Sequence, residues 1–250
     1  MVLTPAETYF AGHFPGQPIL PGVTQIALAA AAIRREFDGA PLRVVRHARL
    51  RQLVGPGERL ELLTRSIDGN RARFELRRDA KVVTNGELEF GALTAADESE
   101  PPMLGEPFVH PPVEQLLPHR PPMLFVQRVL AVDEHFIACE AGFPIDCPLA
   151  APGGVAPAIA AVEAAAQAAA TWEALRRQSG GAEAGGRIGY LVSLRELTFM
   201  REGVSLASPF VVIVRLQSRV LPLSTYAIEV LHEHRQVLRG EIGTFLAAAG

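Results

Sequence analysis

The residues Phe10-Ala11-Gly12-His13-Phe14-Pro15-Gly16-Gln17-Pro18-Ile19-Leu20-Pro21-Gly22-Val23 are the part of the sequence whose types most directly imply chemistry. Three prolines and three glycines surround one histidine, so the imidazole sits in a stiff, extended loop that runs into a helix start at Pro21-Gly22. A neutral imidazole is a proton acceptor near neutral pH. The helix start presents backbone N–H groups with no partner inside the helix, suited to a developing oxyanion. Gly22 N–H is the first such donor and Val23 N–H the second. Taken alone, the same string also reads as a histidine in a Pro/Gly turn.

The elements that must hold this loop come next in the chain. An apolar helical pattern runs through Val23, Ile26, Ala27, Ala30 and Ile33 to Phe37, and Gly39 closes it. Strand-like segments follow at 42–53, 58–67, 71–78 and 82–93, punctuated by Gly55-Pro56-Gly57, Asp68-Gly69-Asn70 and Asn85-Gly86. Residues 95–112 carry several prolines, an acidic cluster and no hydrophobic period, and read as a linker. Beyond it the order repeats with an extra hairpin: strands at 123–132 and 136–143, a long helix over 156–177, then strands at 190–200, 208–219, 225–234 and 236–247. One helix followed by antiparallel strands, twice, predicts an α+β fold of two tandem units forming an intrachain pseudo-dimer. The expected boundaries are 1–97, a linker at 98–112, and 113–250.

Composition narrows the function classes. The chain has 250 residues, 48% hydrophobic and 20% charged, which excludes disorder and collagen-like repetition. The net charge of −3 gives no global basic field for nucleic acid. Residues 1–97 carry 13 basic and 11 acidic side chains, so the first part is net positive and the remainder net negative. Lys81 is the only lysine, which disfavours Schiff-base chemistry. Cys139 and Cys147 are too few for a disulfide framework or a Cys-rich zinc site and read as small core residues. The stretch 153–172 is alanine-rich and broken by Glu163 and Gln167, too weakly apolar to span a bilayer. No signal peptide is visible, so a cytoplasmic location is the expectation.

The HFPGQPILPGV string resembles the active-site signature of the (3R)-hydroxyacyl-[acyl carrier protein] dehydratases of the hotdog fold, the FabA/FabZ type. Its ILPGVTQ ending is similar to the relatives found in aryl-polyene pathways. In the second half, Leu117-Pro118-His119-Arg120-Pro121-Pro122-Met123-Leu124-Phe125-Val126-Gln127-Arg128-Val129 resembles the family's N-terminal segment, with Gln127 where an aspartate is usual. The resemblance implies two tandem hotdog domains, each an antiparallel sheet wrapped around a central helix. It also implies a histidine acting on the Cα proton of a thioester, and an acid on the central helix acting on the β-hydroxyl. Where that acid should stand, the first half has Ala27. The second half has Glu163, followed one turn later by Gln167 as in the family's E-x-x-x-Q. Ala27 lies fourteen residues after His13, and the same interval counted back from Glu163 reaches Leu149. The two halves are therefore defective in complementary ways, and pairing them joins His13 to Glu163 in one working site.

The expected catalytic residues are His13 as base and Glu163 as acid. Burial among alanines should raise the Glu163 pKa and keep the carboxyl protonated; without the resemblance, Glu163 reads as a solvated charge. Gly22, Val23, Gln167, Phe14, Pro15 and Gly16 are expected to bind substrate or the oxyanion. No metal or other cofactor is implied; the substrate rides on the phosphopantetheine of an acyl carrier protein. Carrier docking is assigned to arginines 43, 46, 49, 51, 71, 73, 77 and 78, with a dispersed surface as the alternative. His119 is expected to shape a turn, His232 and His234 to face solvent, and His47, His110 and His135 to have no partner. The competing functions are a catalytically inactive acyl-binding partner and an acyl thioesterase.

Overall fold

A computed structural model describes residues 1–99, 110–179 and 189–247. Most of the expected linker falls outside the described residues. Helix α1 (Gly22–Ile33) starts directly after Pro21, whose fixed φ and missing N–H suit a helix entry. It tightens into a 3₁₀ turn at Arg34–Phe37, earlier than the apolar pattern suggests, because Asp38 and Gly39 both adopt left-handed backbone and reverse the chain. Helix α3 (Ala161–Ser179) is entered through the 3₁₀ turn Ala158–Ala160. The small helix α2 (Val113–Leu116) opens the second half and packs against α3.

Among the described residues, eleven strands form one antiparallel sheet. The first half contributes β1 (Val2–Leu3), β2 (Leu42–Leu50), β3 (Leu60–Ser66), β4 (Arg71–Arg78) and β5 (Lys81–Phe90), in the order β1-β3-β4-β5-β2. In the second half, β6 (Val126–Val132) and β7 (Phe136–Ala141) precede a short pair made by β8 (Val155–Pro157) and β10 (Gly203–Ser205). The long strands β9 (Gly189–Phe199), β11 (Phe210–Val220), β12 (Leu223–His232) and β13 (Arg235–Leu246) extend the sheet as β9-β13-β12-β11-β7-β6. β2 and β9 pair antiparallel, with Val45 opposite Leu197 and Ala48 opposite Leu194, and this ladder fuses the two sheets. β1, β8, β10 and α2 are too short to leave a periodic signal in sequence.

Each sheet half curls around its own helix: α1 packs on β2, β4 and β5, and α3 on β6, β7, β11 and β12. Alanines let the strands approach closely, and Ala161, Val162, Ala164, Ala165, Ala168 and Trp172 are all buried. Burying a large apolar side chain such as Ile26 or Phe74 stabilises the fold by about 1.5–3 kcal/mol. Cys139 and Cys147 are buried and free, and burial pushes the Cys139 thiol up to about 12. His232 departs from expectation. Left-handed Glu233 and His234 make the hairpin turn, so His232 becomes the last ladder residue, buried between Ser208 Oγ (2.8 Å) and Arg201 Nη1 (3.1 Å).

Candidate active site

His13 is presented by the turn between the 3₁₀ segment Glu7–Phe10 and α1. Its Nδ1 lies 2.7 Å from the Ile19 carbonyl. A carbonyl only accepts, so Nδ1 carries the proton and Nε2 is left as the basic nitrogen. That Nε2 faces Glu163 Oε1 of α3 at 3.8 Å, across the junction of the two halves. His13 is 5% exposed and Glu163 4%. They line a cavity of about 210 Å³ together with Phe14, Leu20, Gly22, Gln25, Leu50, Ala166, Ala170 and Tyr190. Ala27 and Leu149, the other complementary pair, also share a cavity.

His119 completes the group, and the sequence reading missed it. Its Nε2 is 3.4 Å from Glu163 Oε1, its ring centroid 5.2 Å from that of His13, and neither ring nitrogen has an aligned hydrogen bond among the described residues. Gly12 brings the two histidines together: Arg120 N–H donates to the Gly12 carbonyl (2.9 Å), docking the His119 segment on the His13 loop. Phe14, in left-handed backbone, packs edge-on to His13 and 4.9 Å from the His119 ring.

Electrostatics reverse one expectation. Burial by itself pushes the Glu163 carboxyl up, but His119, His13 and Gln167 together outweigh it and hold the carboxyl below its ordinary value. Alanine neighbours in the sequence do not reveal two imidazoles packed against the same oxygen. Desolvation lowers His13 to about 4, opposed by Glu163, so His13 is neutral at pH 7. Between its ordinary value of 6.5 and about 4, the unfolded chain binds a proton at this ring that the folded chain does not. Stability is therefore expected to fall by about 3 kcal/mol as pH drops through that window. Glu163, held low, adds a further loss that starts below its ordinary 4.5. Urea unfolding of wild type and His13→Gln at pH 7 and pH 4.5 checks this: the variant should show the shallower pH dependence.

Several expected contacts are placed differently. Gln167, 0% exposed, does not line the cavity. Its Oε1 accepts from Phe125 N–H (2.9 Å), and its Nε2 donates to the Met123 carbonyl (2.8 Å) and lies 3.4 Å from Glu163 Oε1. It clamps α3 to the strand entering β6 and orients the carboxylate. Pro15 and Gly16 are exposed and away from the cavity, because the turn closed by Gln17 N–H on the Phe14 carbonyl (2.8 Å) points them outward. Val23 turns into the core, whereas Gly22 lines the cavity. The first backbone bond into α1 comes from Gln25 N–H to the Pro21 carbonyl (3.2 Å), downstream of the Gly22 N–H.

The arginines are more compensated than their spacing suggests. Arg43 and Arg46 pair with Glu89, Arg71 and Arg73 with Glu87, Arg77 with Glu75 and Arg78 with Glu58. Arg49 is exposed, and Arg51 lines the cavity's exposed end, donating to Asn85 Oδ1 (2.9 Å). For a metal, His13, His119 and Glu163 offer ligand atoms within 4.8 Å of one another, a two-imidazole, one-carboxylate set. Among the described residues, no helix is long and apolar enough to cross a membrane.

Two wrapped helices on one fused sheet, with a histidine and a glutamate meeting at the junction, define a tandem hotdog of the dehydratase class. Residues 111–249 match the ApeP-like family of ApeP dehydratases, and residues 1–87 match the ApeI-like family of ApeI dehydratases. The chain belongs to the ApeP dehydratase family. It is 36% identical over 101 residues to the 3-hydroxyacyl-[acyl-carrier-protein] dehydratase FabZ of Rhizobium johnstonii, covering 36% of this chain and 65% of that relative. The match thus spans slightly under two thirds of that relative's length. Among solved structures, the dehydratase heterocomplex ApeI:P from Xenorhabdus doucetiae aligns with a TM-score of 0.52 at 20% identity, over 56% of this chain and 93% of that one. The dehydratase domain of RzxB from Pseudomonas fluorescens aligns over 97% of this chain and 92% of its own, with a TM-score of 0.74 at 13% identity.

Proposed function

We propose that the chain dehydrates a (3R)-3-hydroxyacyl thioester, carried on an acyl carrier protein, to the trans-2-enoyl thioester through one composite site per chain. The observation that carries this reading is the 3.8 Å approach of His13 Nε2 to Glu163 Oε1 across the two halves. The family membership supports it, as do the separate ApeI-like and ApeP-like matches: the chain joins in one polypeptide two parts that form a heterocomplex in Xenorhabdus doucetiae.

His13 Nε2 removes the Cα proton, and the Gly22 N–H at the start of α1 faces the charge that develops on the thioester oxygen. The proton for the departing hydroxyl comes through Glu163. A bare carboxylate is costly to bury, and the two imidazoles packed on Glu163 Oε1 offset that cost, so the proton taken from Cα passes from His13 Nε2 to Glu163 and on to the hydroxyl. One proton enters the site from Cα and one leaves with the hydroxyl as water, so the site's proton count is restored when His13 passes its proton back. His119 acts here as a positioning residue, its Nε2 holding the carboxyl from 3.4 Å. Arg51, at the exposed end of the cavity, is the cation best placed to meet an acidic carrier arriving there. The proposal carries with it a cytoplasmic location, where such a carrier would meet it.

The test is an assay of the purified chain with (3R)-3-hydroxydecanoyl carrier protein, followed by ultraviolet absorbance of the conjugated enoyl thioester. Enoyl product is expected, at a rate unchanged by dialysis against EDTA, with a higher KM when the acyl group rides on pantetheine alone. Release of free thiol without enoyl product would point instead to hydrolysis, and an EDTA-sensitive rate to a metal on His13, His119 and Glu163.

A further inference from the structure

The fused sheet creates a second cavity that the reaction does not use. The first lies where the end of β2 meets the start of β9; the second lies at the other end of the same ladder, walled by Leu42, Phe90 and Phe199. It has a volume of about 250 Å³. Part of the helix lining corresponds: Ala30 of α1 and Arg34 just after it occupy the steps that Ala166 and Ala170 occupy in α3, and each pair lines its own cavity. Ala27 and Leu149 stand at the places of the acid and the base, so this twin keeps a pocket without the facing imidazole and carboxyl of the first.

Three features give the pocket a chemical preference. Its inner wall is apolar, formed by Ala27, Leu28, Ile159 and Phe199. Thr24, 1% exposed, also lines it, and its hydroxyl has no hydrogen-bond partner among the described residues. Leaving a buried hydroxyl unpaired is unfavourable, and a polar ligand atom would recover that loss. Two arginines line it against one acid. Arg34 is paired with Glu202 (3.1 Å), whereas Arg201 contacts His232 Nδ1 (3.1 Å) and has no carboxylate within ion-pair distance among the described residues.

We propose that this second cavity is a non-reacting binding site for a medium-chain carboxylate, with the apolar chain along α1, the Thr24 hydroxyl donating to a carboxylate oxygen, and Arg201 neutralising the head group. The site binds without transforming, because neither Leu149 nor Ala27 can move a proton. It stands independently of the dehydratase reading.

The experiment is a calorimetric titration of the full chain with decanoate and, in parallel, methyl decanoate. Wild type is expected to prefer decanoate, and Arg201→Gln to erase that preference. Ala27→Trp from the helix wall and Leu149→Trp from the opposite wall fill the cavity. Each should weaken decanoate binding by at least about tenfold while leaving 3-hydroxydecanoyl dehydration unchanged. Circular dichroism melting establishes which variants fold, and either one alone decides the matter. Decanoate binding that survives both substitutions, or that is absent from wild type, overturns the proposal. Absence of dehydration alongside intact decanoate binding overturns only the catalytic reading.

Discussion

His13→Ala and Glu163→Gln are each expected to lower kcat/KM for the 3-hydroxyacyl thioester by about two to four orders of magnitude, the usual worth of a positioned general base or acid. Both changes should leave the unfolding midpoint at pH 7 close to that of wild type. The His13 ring loses one hydrogen bond to the Ile19 carbonyl, and Gln at 163 keeps the shape that Gln167 clamps. The double variant should be little slower than either single one, because the two groups act on one event and their losses do not add. A sharper form of the test mixes the two single-variant proteins after co-refolding. His13 and Glu163 meet within one chain, so every molecule in the mixture still lacks one partner and no activity should return. If the halves instead exchanged between chains at random, about a quarter of the sites would regain both groups and turnover would reappear. Activity above about a tenth of wild type in either single variant would remove the composite site from consideration.

The second large effect is expected at a residue that carries no chemistry. Gly12→Ala should lower kcat/KM by about a hundredfold, the cost of a small misplacement of a catalytic group. Gly12 has φ +74°, in the left-handed region that favours glycine, and a Cβ there would stand 2.1 Å from the Arg120 carbonyl oxygen and 2.8 Å from that of Pro121. Those are backbone atoms and cannot swing aside as a side chain would. The loop must part from the 119–121 segment, which separates His13 from His119 and breaks the Arg120 N–H to Gly12 bond. Gly16→Ala is the control. Four residues along the same loop, an added Cβ meets nothing within 4 Å, so activity and stability should both be retained. Steady-state kinetics with thermal melts on the pair separates a positional effect from general loop damage. Equal losses in both variants would refute it.

The architecture was legible because its signals are local. Alanine periodicity, helix-stopping Asp38-Gly39 and the Gly/Pro punctuation between strands are all read within a few residues. The His13–Glu163 pairing was legible for another reason: each half shows a gap at the place where the other has the functional group, Ala27 against Glu163 and Leu149 against His13. His119 was not, since a histidine between prolines has no spacing relation to the loop it meets, and the contact depends on one long-range backbone hydrogen bond at Gly12. Gln167 shows the limit of helical period. One turn after Glu163 it could face the same cavity, but α3 is enclosed on every side, and only the packed strand entering β6 decides that Gln167 turns to Met123 and Phe125. The direction of the Glu163 shift was hidden for the same reason. Its alanine neighbours along the chain predict burial, and the imidazoles that overcome burial come from elsewhere.

The β2–β9 ladder has a consequence for how such a protein can be inherited. Two subunits made from separate genes sort by collision, and like can pair with like; a half bearing His13 and Ala27 that meets its own copy yields two histidines and no glutamate at the junction. Here the tether makes the correct assortment the default at every expression level. Each half is then released from self-recognition: mutations that would spoil a symmetric partner are neutral when the partner is always the other half. That freedom is enough for one end of the ladder to hold Ala27 and Leu149 where the other holds Glu163 and His13, and still keep its cavity.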